Sequence, residues 1–564
     1  MIAALLLGAT VMSFRIASLE QSILRDLYGN SVEVTAVVST DAHTLAPRVM
    51  GTQFAEQSYS ALVRVTEIKD GDRQYRLRSP ARLISSEGDF KEILPGQIIR
   101  VQVLVQPSKE GRVAALLINK GSFTVVSQPS RWAKSLDRIR DGLRAASGGG
   151  DSGALIPGMV LGDTSLQSAT FKNEMRRSGL THLVAVSGAN FAIVSTFILY
   201  LMQFVFRKIP LRLGATAIFL IAFIALVRPS PSVLRAAAMA AVLLIAQGTH
   251  RGRDSLPALG FAIAAVVVAD PWQVRDPGFA LSVLATAGLL IAAPHLVEKF
   301  STVMPKSLAI VIATPLAATL FCSPVIVAIS GQLSLMSIVA NVLAAPAVAP
   351  ITIVGFVAAL ISPVLPSLSH LLLWCVKPLA AFVAWIASVI SDYSVITFTT
   401  GAKGFFIIAG VLALGYFFNR KIVITALLIL IAISWLLRFP GGDWQIANCD
   451  VGQGDAMVIN LKQHRAIVID VGPDPQLIDR CLRQLGVREI PLLILTHVHA
   501  DHVGGLAGAE KNRIVGTTWY GDVFAGTRAK IENVEIEVKW PNNAEGLTPN
   551  NSSIAVLISS PDFT

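Results

Sequence analysis

The sequence predicts a polytopic α-helical membrane protein whose bundle is flanked by two water-soluble domains. Three observations carry this. Between about 180 and 437, apolar runs such as 211–227, 279–293, 371–390 and 422–437 alternate with short polar or Pro-bearing links. One hydrocarbon core asks for about 17–25 apolar residues per helix, and only helices or closed barrels satisfy their backbone in lipid. The composition is 53% hydrophobic and only 15% charged, with a mean hydropathy of +0.60, which is that of a membrane protein. On either side of the block the pattern changes to strand alternation and turn residues. A large soluble core is the competing reading, but its helices would carry a polar face, and these mostly lack one.

The net charge of +10 favours anionic partners, lipid headgroups or nucleic acid. Cys322, Cys375, Cys449 and Cys481 are scattered, two of them in apolar runs, and no C-x-x-C occurs. The spacing therefore signals neither a zinc knuckle nor a disulfide framework. Residues 1–11 are apolar with no basic region before them, which suits a short anchor helix over 1–14 better than a cleaved signal peptide.

Residues 28–128 read as a small β domain. Val32, Val34 and Ala36 alternate with polar residues, as do Ala61, Val63 and Val65, then Val101, Val103 and Val105. Turn signals at Lys69-Asp70-Gly71-Asp72 and Leu94-Pro95-Gly96-Gln97 separate such runs. About five strands in this length suggest a small barrel, for which an OB-like fold is one candidate. Arg64, Arg76 and Arg78 are either phosphate contacts or a solvated face. Over 130–150, Trp132, Leu136, Ile139 and Leu143 recur at helical spacing, with Lys134, Arg138, Arg140 and Arg144 on other faces. Such a helix lies in the membrane interface or packs on the β domain.

A membrane domain over 151–437 follows, with about ten spans: 180–206, 211–227, 232–246, 256–269, 279–293, 308–327, 335–360, 371–390, 405–418 and 422–437. The basic links hold Arg207, Lys208 and Arg212, then Arg251 and Arg253, then Lys299 and Lys306, then Arg420 and Lys421. Each falls after an odd number of crossings, so the positive-inside rule puts them in the cytoplasm and both soluble domains on the outer side. Arg235, Asp276 and Asn341 lie in or at the ends of spans. Such groups face a hydrated path, or cap and snorkel. Pro346 and Pro350 fit either a broken helix lining a pathway or a plain kink.

Residues 443–564 turn soluble, with strands over 456–460, 466–470 and 491–495. Directly after the third stands Thr496-His497-Val498-His499-Ala500-Asp501-His502. Three imidazoles and a carboxylate at one strand end are donors for zinc, manganese or a similar divalent ion, one or two of them. Such an ion supplies hydroxide near neutral pH and clamps a phosphoryl group.

This motif resembles that of the metallo-β-lactamase fold, an αββα sandwich of hydrolases. Asn448-Cys449-Asp450-Val451-Gly452-Gln453-Gly454-Asp455-Ala456, Ile469-Asp470-Val471-Gly472 and Asn550-Asn551-Ser552-Ser553 extend the likeness. The resemblance implies that His497 and His499 bind a first metal and Asp501 and His502 a second. Asp501 would be catalytic, and Asp470 would support the ligands. The family's further aspartate ligand would follow a strand resembling 559–564, where the sequence stops. Either the sequence is a fragment or the domain is C-terminally truncated, and hydrolysis of phosphodiesters is expected to lack part of its metal set.

The domain order resembles the ComEC family of competence proteins. Leu161-Gly162-Asp163, then Gly179-Leu180-Thr181-His182-Leu183-Val184-Ala185-Val186-Ser187-Gly188, Pro231-Ser232-Val233-Leu234-Arg235-Ala236 and Asp276-Pro277-Gly278-Phe279-Ala280-Leu281-Ser282 are similar to its signatures. Ala189-Asn190 and Ala280 depart from the usual Leu-His and Gln. Asp163, Ser187, Gly188, Arg235, Asp276 and Asn341 are the candidate channel residues. The resemblance implies passage of single-stranded DNA across the bacterial cytoplasmic membrane during natural transformation. The implied partners are the strand, membrane lipids, other competence-machinery proteins and a second copy in a homodimer. Rival readings are a membrane-anchored metallohydrolase, a transporter of another solute, or a remnant gene.

Overall fold

The computed structural model describes every residue except 1, 46–48, 51–52, 185–187, 229–230, 249–254, 335, 392–395, 418–443, 544–546 and 562–564. The chain divides into two compact units. One comprises Met1–Thr44 and Tyr59–Ile424, the other Leu45–Ser58 and Thr425–Thr564.

The first unit begins with α1 (Ile2–Glu20), which runs past the expected anchor of 14 residues. Five long strands follow, β1 (Ser31–Val38), β2 (Tyr59–Asp70), β3 (Arg73–Ser85), β4 (Ile98–Gln106) and β5 (Ala115–Ser127), and a two-residue strand, His43–Thr44, pairs with β2 as a sixth. Alternation decides their faces, because successive side chains point to opposite sides of a strand. Val32, Val34, Ala36, Val101, Val103 and Val105 are all buried in one core around Phe90. β1 pairs antiparallel with both β2 and β4. β2 pairs antiparallel with β3, β3 runs parallel to β5, and β5 pairs antiparallel with β4.

Helix α2 (Arg131–Ser147) starts where the Ser130 hydroxyl accepts the Ala133 amide at 3.2 Å. An N-cap of this kind satisfies one of the orphan donors of the first turn. Its apolar side, Leu136 and Leu143, joins the core of the helical bundle. α2 packs on helices of the bundle, and Arg140, which shares a face with Leu136 and Leu143, is buried with them. Helix α3 (Gly150–Leu161) is buried from Gly153 onward, and α4 (Ala169–Arg177) lies beyond it.

The bundle proper contains α5 (Gly188–Val205), α6 (Ile209–Val227), α7 (Pro231–Gly248), α8 (Ser255–Ala269), α9 (Pro277–Phe300), α10 (Lys306–Ser330), α11 (Ser337–Ile361), α12 (Pro366–Ser391) and α13 (Gly401–Phe417). Six of them, α5, α6 and α9–α12, are long and apolar enough to cross a membrane, and α8 is a shorter apolar helix. The chain is thus a polytopic helical membrane protein. Nine of the expected spans coincide with these helices. The tenth, 422–437, and the links bearing Arg251, Arg253, Arg420 and Lys421 lie outside the described residues. Pro346 and Pro350 sit inside α11 without breaking it. In a bundle, neighbouring groups and local adjustment compensate the lost backbone bonds, so the broken-helix alternative falls. Phe204, Ile218, Ile221, Trp374 and Phe406 face outward, as suits helices whose solvent is lipid.

The second unit is layered. Its central sheet has the order β6 (Ile446–Asn448), β7 (Met457–Asn460), β8 (Ala466–Ile469), β9 (Glu489–Leu495), β10 (Ile514–Tyr520). β8, β9 and β10 run parallel. Val458, Val468 and Leu493 turn one face toward Ile478 and Leu482 of α14 (Pro475–Gln484). Ile459, Ile467 and Ile494 turn the other toward a second sheet of β11 (Arg528–Ile531), β12 (Val534–Trp540) and β13 (Ala555–Ser559).

Cys449, just after β6, and Cys481 of α14 form a disulfide. This corrects the expectation of no disulfide. The helix packs on the face of the sheet where β6 ends and brings the two Cα atoms to 5.8 Å. A spacing of 32 residues carries no hint of that.

Candidate functional site

The His/Asp segment leaves the end of β9, next to the end of β8, and the parallel pairing brings their exits together. Asp470 follows β8 with φ +56, a left-handed conformation that is strained for a residue with a side chain. Its carboxylate is held on three sides. Thr496 donates from its amide to Oδ1 and from its hydroxyl to Oδ2, both at 2.8 Å, and His502 Nδ1 lies 2.7 Å from Oδ2.

These bonds set the tautomers. His502 donates through Nδ1 to Asp470, which leaves its Nε2 as a lone pair. The Thr496 hydroxyl has given its proton to Asp470 and so accepts from His497 Nδ1, 3.0 Å away, leaving His497 Nε2 likewise open. That nitrogen stands 3.1 Å from His499 Nδ1. Two nitrogens bound tetrahedrally at about 2.0–2.1 Å are roughly 3.3 Å apart, so the pair stands close to one edge of a metal site. Burial, with the His502 and His499 rings beside it, pushes the His497 imidazole below its usual value. It is neutral near pH 7, the form that ligates.

Among the described residues Asp501 Oδ1 is buried without a hydrogen-bond partner, and it lies 4.0 Å from His502 Nε2. A glycine at 454 is required for this packing. Its φ is +107, and a Cβ there would stand 2.0 Å from the Asp501 carbonyl oxygen. The donors fit a divalent cation in kind, and the orphaned Asp501 oxygen is one that an ion would satisfy. Among the described residues, however, no three His, Cys, Asp or Glu groups close on a common point. Reading the sequence missed Thr496, whose place between the strand and the first histidine is its only signal.

In the first unit the candidate residues separate. Asp276 caps α9, its Oδ1 accepting the Phe279 amide at 2.9 Å, and Asn341 donates to the Ser337 carbonyl of its own helix at 2.7 Å. Both side chains are engaged in the local way open to polar groups at span ends. Asp163 belongs to a buried charge cluster. Its Oδ2 is 3.3 Å from Arg140 Nη2 and 3.0 Å from Arg144 Nε, while Oδ1 accepts the Ser165 amide. Burial alone would raise the Asp163 carboxyl, but Arg140 and the Ser165 bonds outweigh it and hold it below its usual range. Arg140 also donates to the Leu226 carbonyl at the end of α6. Nearby Arg228, at φ +71, grips Asp41 of the β domain through Nε and Nη2 at 3.0 and 2.9 Å. The sequence gives no sign of Asp41 or Arg228 as partners.

Gly188 opens α5 and lies directly against Arg235 of α7, which is 3% exposed. Arg235 Nη1 donates to the Thr286 hydroxyl of α9. Ser187 lies outside the described residues.

Residues 159–421 match the family model described as Competence protein, and residues 449–525 match that of the Metallo-beta-lactamase superfamily. ComE operon protein 3 of Bacillus subtilis (strain 168) is 24% identical over 392 residues, covering 63% of this chain and 49% of that protein. The uncharacterized protein YcaI of Escherichia coli (strain K12) is 28% identical over 387 residues, again 63% and 49%. The chain spans about half the length of the curated relatives it matches. No solved structure matches it.

Proposed function

We propose that this chain, a member of the ComEC family of competence proteins, passes single-stranded DNA inward across the bacterial cytoplasmic membrane during natural transformation. The observation that carries this reading is the competence match lying over the membrane helices themselves. A polyanion needs a lined, hydrated route through lipid, and non-specific affinity for it comes from phosphate contacts.

Both soluble domains face outward in this reading. The Cys449–Cys481 bond supports that placement for the C-terminal domain, since disulfides persist outside the reducing cytosol. The strand pairing β1–β2–β3–β5–β4, returning to β1, supports an OB-like domain on whose surface single strands stack and track. Other competence-machinery proteins, lipids and a second copy complete the set of partners.

In the C-terminal domain, His497 and His499 would hold a first divalent ion and Asp501 and His502 a second, with zinc or manganese as candidates. Asp470 fixes His502 through Nδ1, and Thr496 fixes His497. When bound, the ions would supply a hydroxide near neutral pH and neutralise a phosphodiester. Asp501 would be the catalytic carboxylate, and the domain would act on the strand that is not transported.

The orphaned Asp501 oxygen beside three imidazoles favours one rival, a membrane-anchored hydrolase whose helices only hold it in place. Two strains separate the readings. Deleting the gene in a competent host should abolish entry of DNA into the cytosol while surface binding continues; normal transformation there would refute transport. His499→Ala and Asp501→Ala should remove nuclease activity and leave uptake. Loss of both together would favour the anchored hydrolase.

A further inference from the structure

Arg235 stands apart from the other buried charges. It is 3% exposed, lies on a helix of the bundle and, among the described residues, forms no ion pair. Among the described residues its one hydrogen-bond partner is the Thr286 hydroxyl, which itself donates to the Ser282 carbonyl. Nε is buried and has no hydrogen-bond partner among the described residues. Nη2 is turned to the first residue of α5, so close that a Cβ on Gly188 would stand 2.8 Å from it. α5 is 18 residues long, and the N-terminus of such a helix carries partial positive charge. A guanidinium and a helix N-terminus thus add the same sign at one point, and among the described residues no carboxylate pairs with Arg235. Ionised groups inside a membrane bundle are costly unless paired, and where they occur they mark ion and substrate pathways.

We propose that Arg235, with the N-terminus of α5, is a phosphodiester-binding station inside the bundle, a site that rests on the DNA-transport reading above. The guanidinium fork donates to two oxygens of one phosphate. Thr286 holds that fork through Nη1, and Gly188 leaves room for the α5 amides to approach the same oxygens. Phosphate is common to every nucleotide, so such a station handles a strand of any sequence.

The test uses a transformable strain whose own copy is replaced by this chain, unaltered or as Arg235→Lys or Arg235→Met. Membrane level is measured, together with cytosolic uptake of a labelled strand. A second strand carries a run of uncharged methylphosphonate linkages. Arg235→Met should accumulate as well as the unaltered chain, because it removes an unpaired buried charge. Its uptake of the charged strand should fall about 10- to 100-fold, the size of one charge-assisted hydrogen bond. Arg235→Lys should retain most uptake. The unaltered chain should lose uptake on the uncharged run, whereas Arg235→Met should not distinguish the two strands. Normal uptake by Arg235→Met overturns the proposal. So does its failure to accumulate, which would make Arg235 a structural residue. So does a loss relative to the unaltered chain that is as large on the uncharged run as on the charged strand, which would point to a lipid headgroup or free phosphate as the ligand. No uptake by the unaltered chain would refute transport itself, and the station with it.

Discussion

Two arginines, buried to nearly the same degree, keep opposite company. Arg140, 6% exposed, has Asp163 at 3.3 Å, Asp41 at 3.8 Å and a backbone carbonyl. Arg235, 3% exposed, has one hydroxyl among the described residues. Breaking one side of a buried pair leaves an uncompensated charge, while replacing an unpaired one by an apolar side chain of similar size removes a cost. Arg140 therefore belongs to the architecture that ties α2 to the end of α6 and to the β domain. Arg235 is better understood through what it does.

Stability measurements can break this contrast. Arg140→Met should lower the unfolding free energy of the first unit by about 3 kcal/mol, read as thermal melting in detergent, because it leaves buried Asp163 with Arg144 as its one arginine and Asp41 without Arg140. Arg235→Met should cost about 1 kcal/mol or less by the same assay. Equal losses would erase the distinction. The second unit supplies a control region with a different kind of tie. Cys449→Ser should destabilise it by about 2–4 kcal/mol, seen as faster hydrogen exchange in α14 and β6 with the bundle unchanged.

A smaller effect is expected at the imidazole cluster. Asp470→Asn should weaken zinc binding by about 10- to 100-fold in a calorimetric titration, since His502 loses the acceptor that fixes its tautomer. The mildest is a pH dependence. The Asp163 carboxyl has its folded value held below the usual one, so its stabilisation is complete above that usual value and is lost as pH falls through the folded one. The melting difference between the chain and Asp163→Asn should hold constant from pH 7 to about 5 and shrink only below about 4. A difference that fades between pH 7 and 5 would contradict the ion-paired Asp163.

What was legible in the sequence follows the range of each force. Lipid thickness imposes span length locally, so runs such as 211–227 and 371–390 announce α6 and α12. Strand alternation around Val32 and Val101 is equally local. The His497–His502 segment is short, and its chemistry shows in its residue types. Pairing across long separations leaves no such mark. Arg228 and Asp41 meet over 187 residues, Arg140 and Leu226 over 86, and Cys449 and Cys481 over 32. One arithmetic clue was present, since two of the four cysteines sit in apolar spans and leave two in the soluble domain. The same limit applies to Arg140: its residue type shows a charge on α2, but whether that charge meets solvent, lipid or Asp163 is decided by tertiary packing.

Passage through the bundle is tested most directly by catching the strand inside it. A photocrosslinking phenylalanine analogue in place of Thr286 would be placed in competent cells, with a second variant carrying it at Arg78, exposed on β3. A transforming strand blocked at its trailing end by a bound protein would stall in transit. Crosslinks to DNA at both positions are expected, with the position of Thr286 labelled only once transport has begun. A stalled strand that crosslinks at Arg78 and never at Thr286 would contradict a route through these helices.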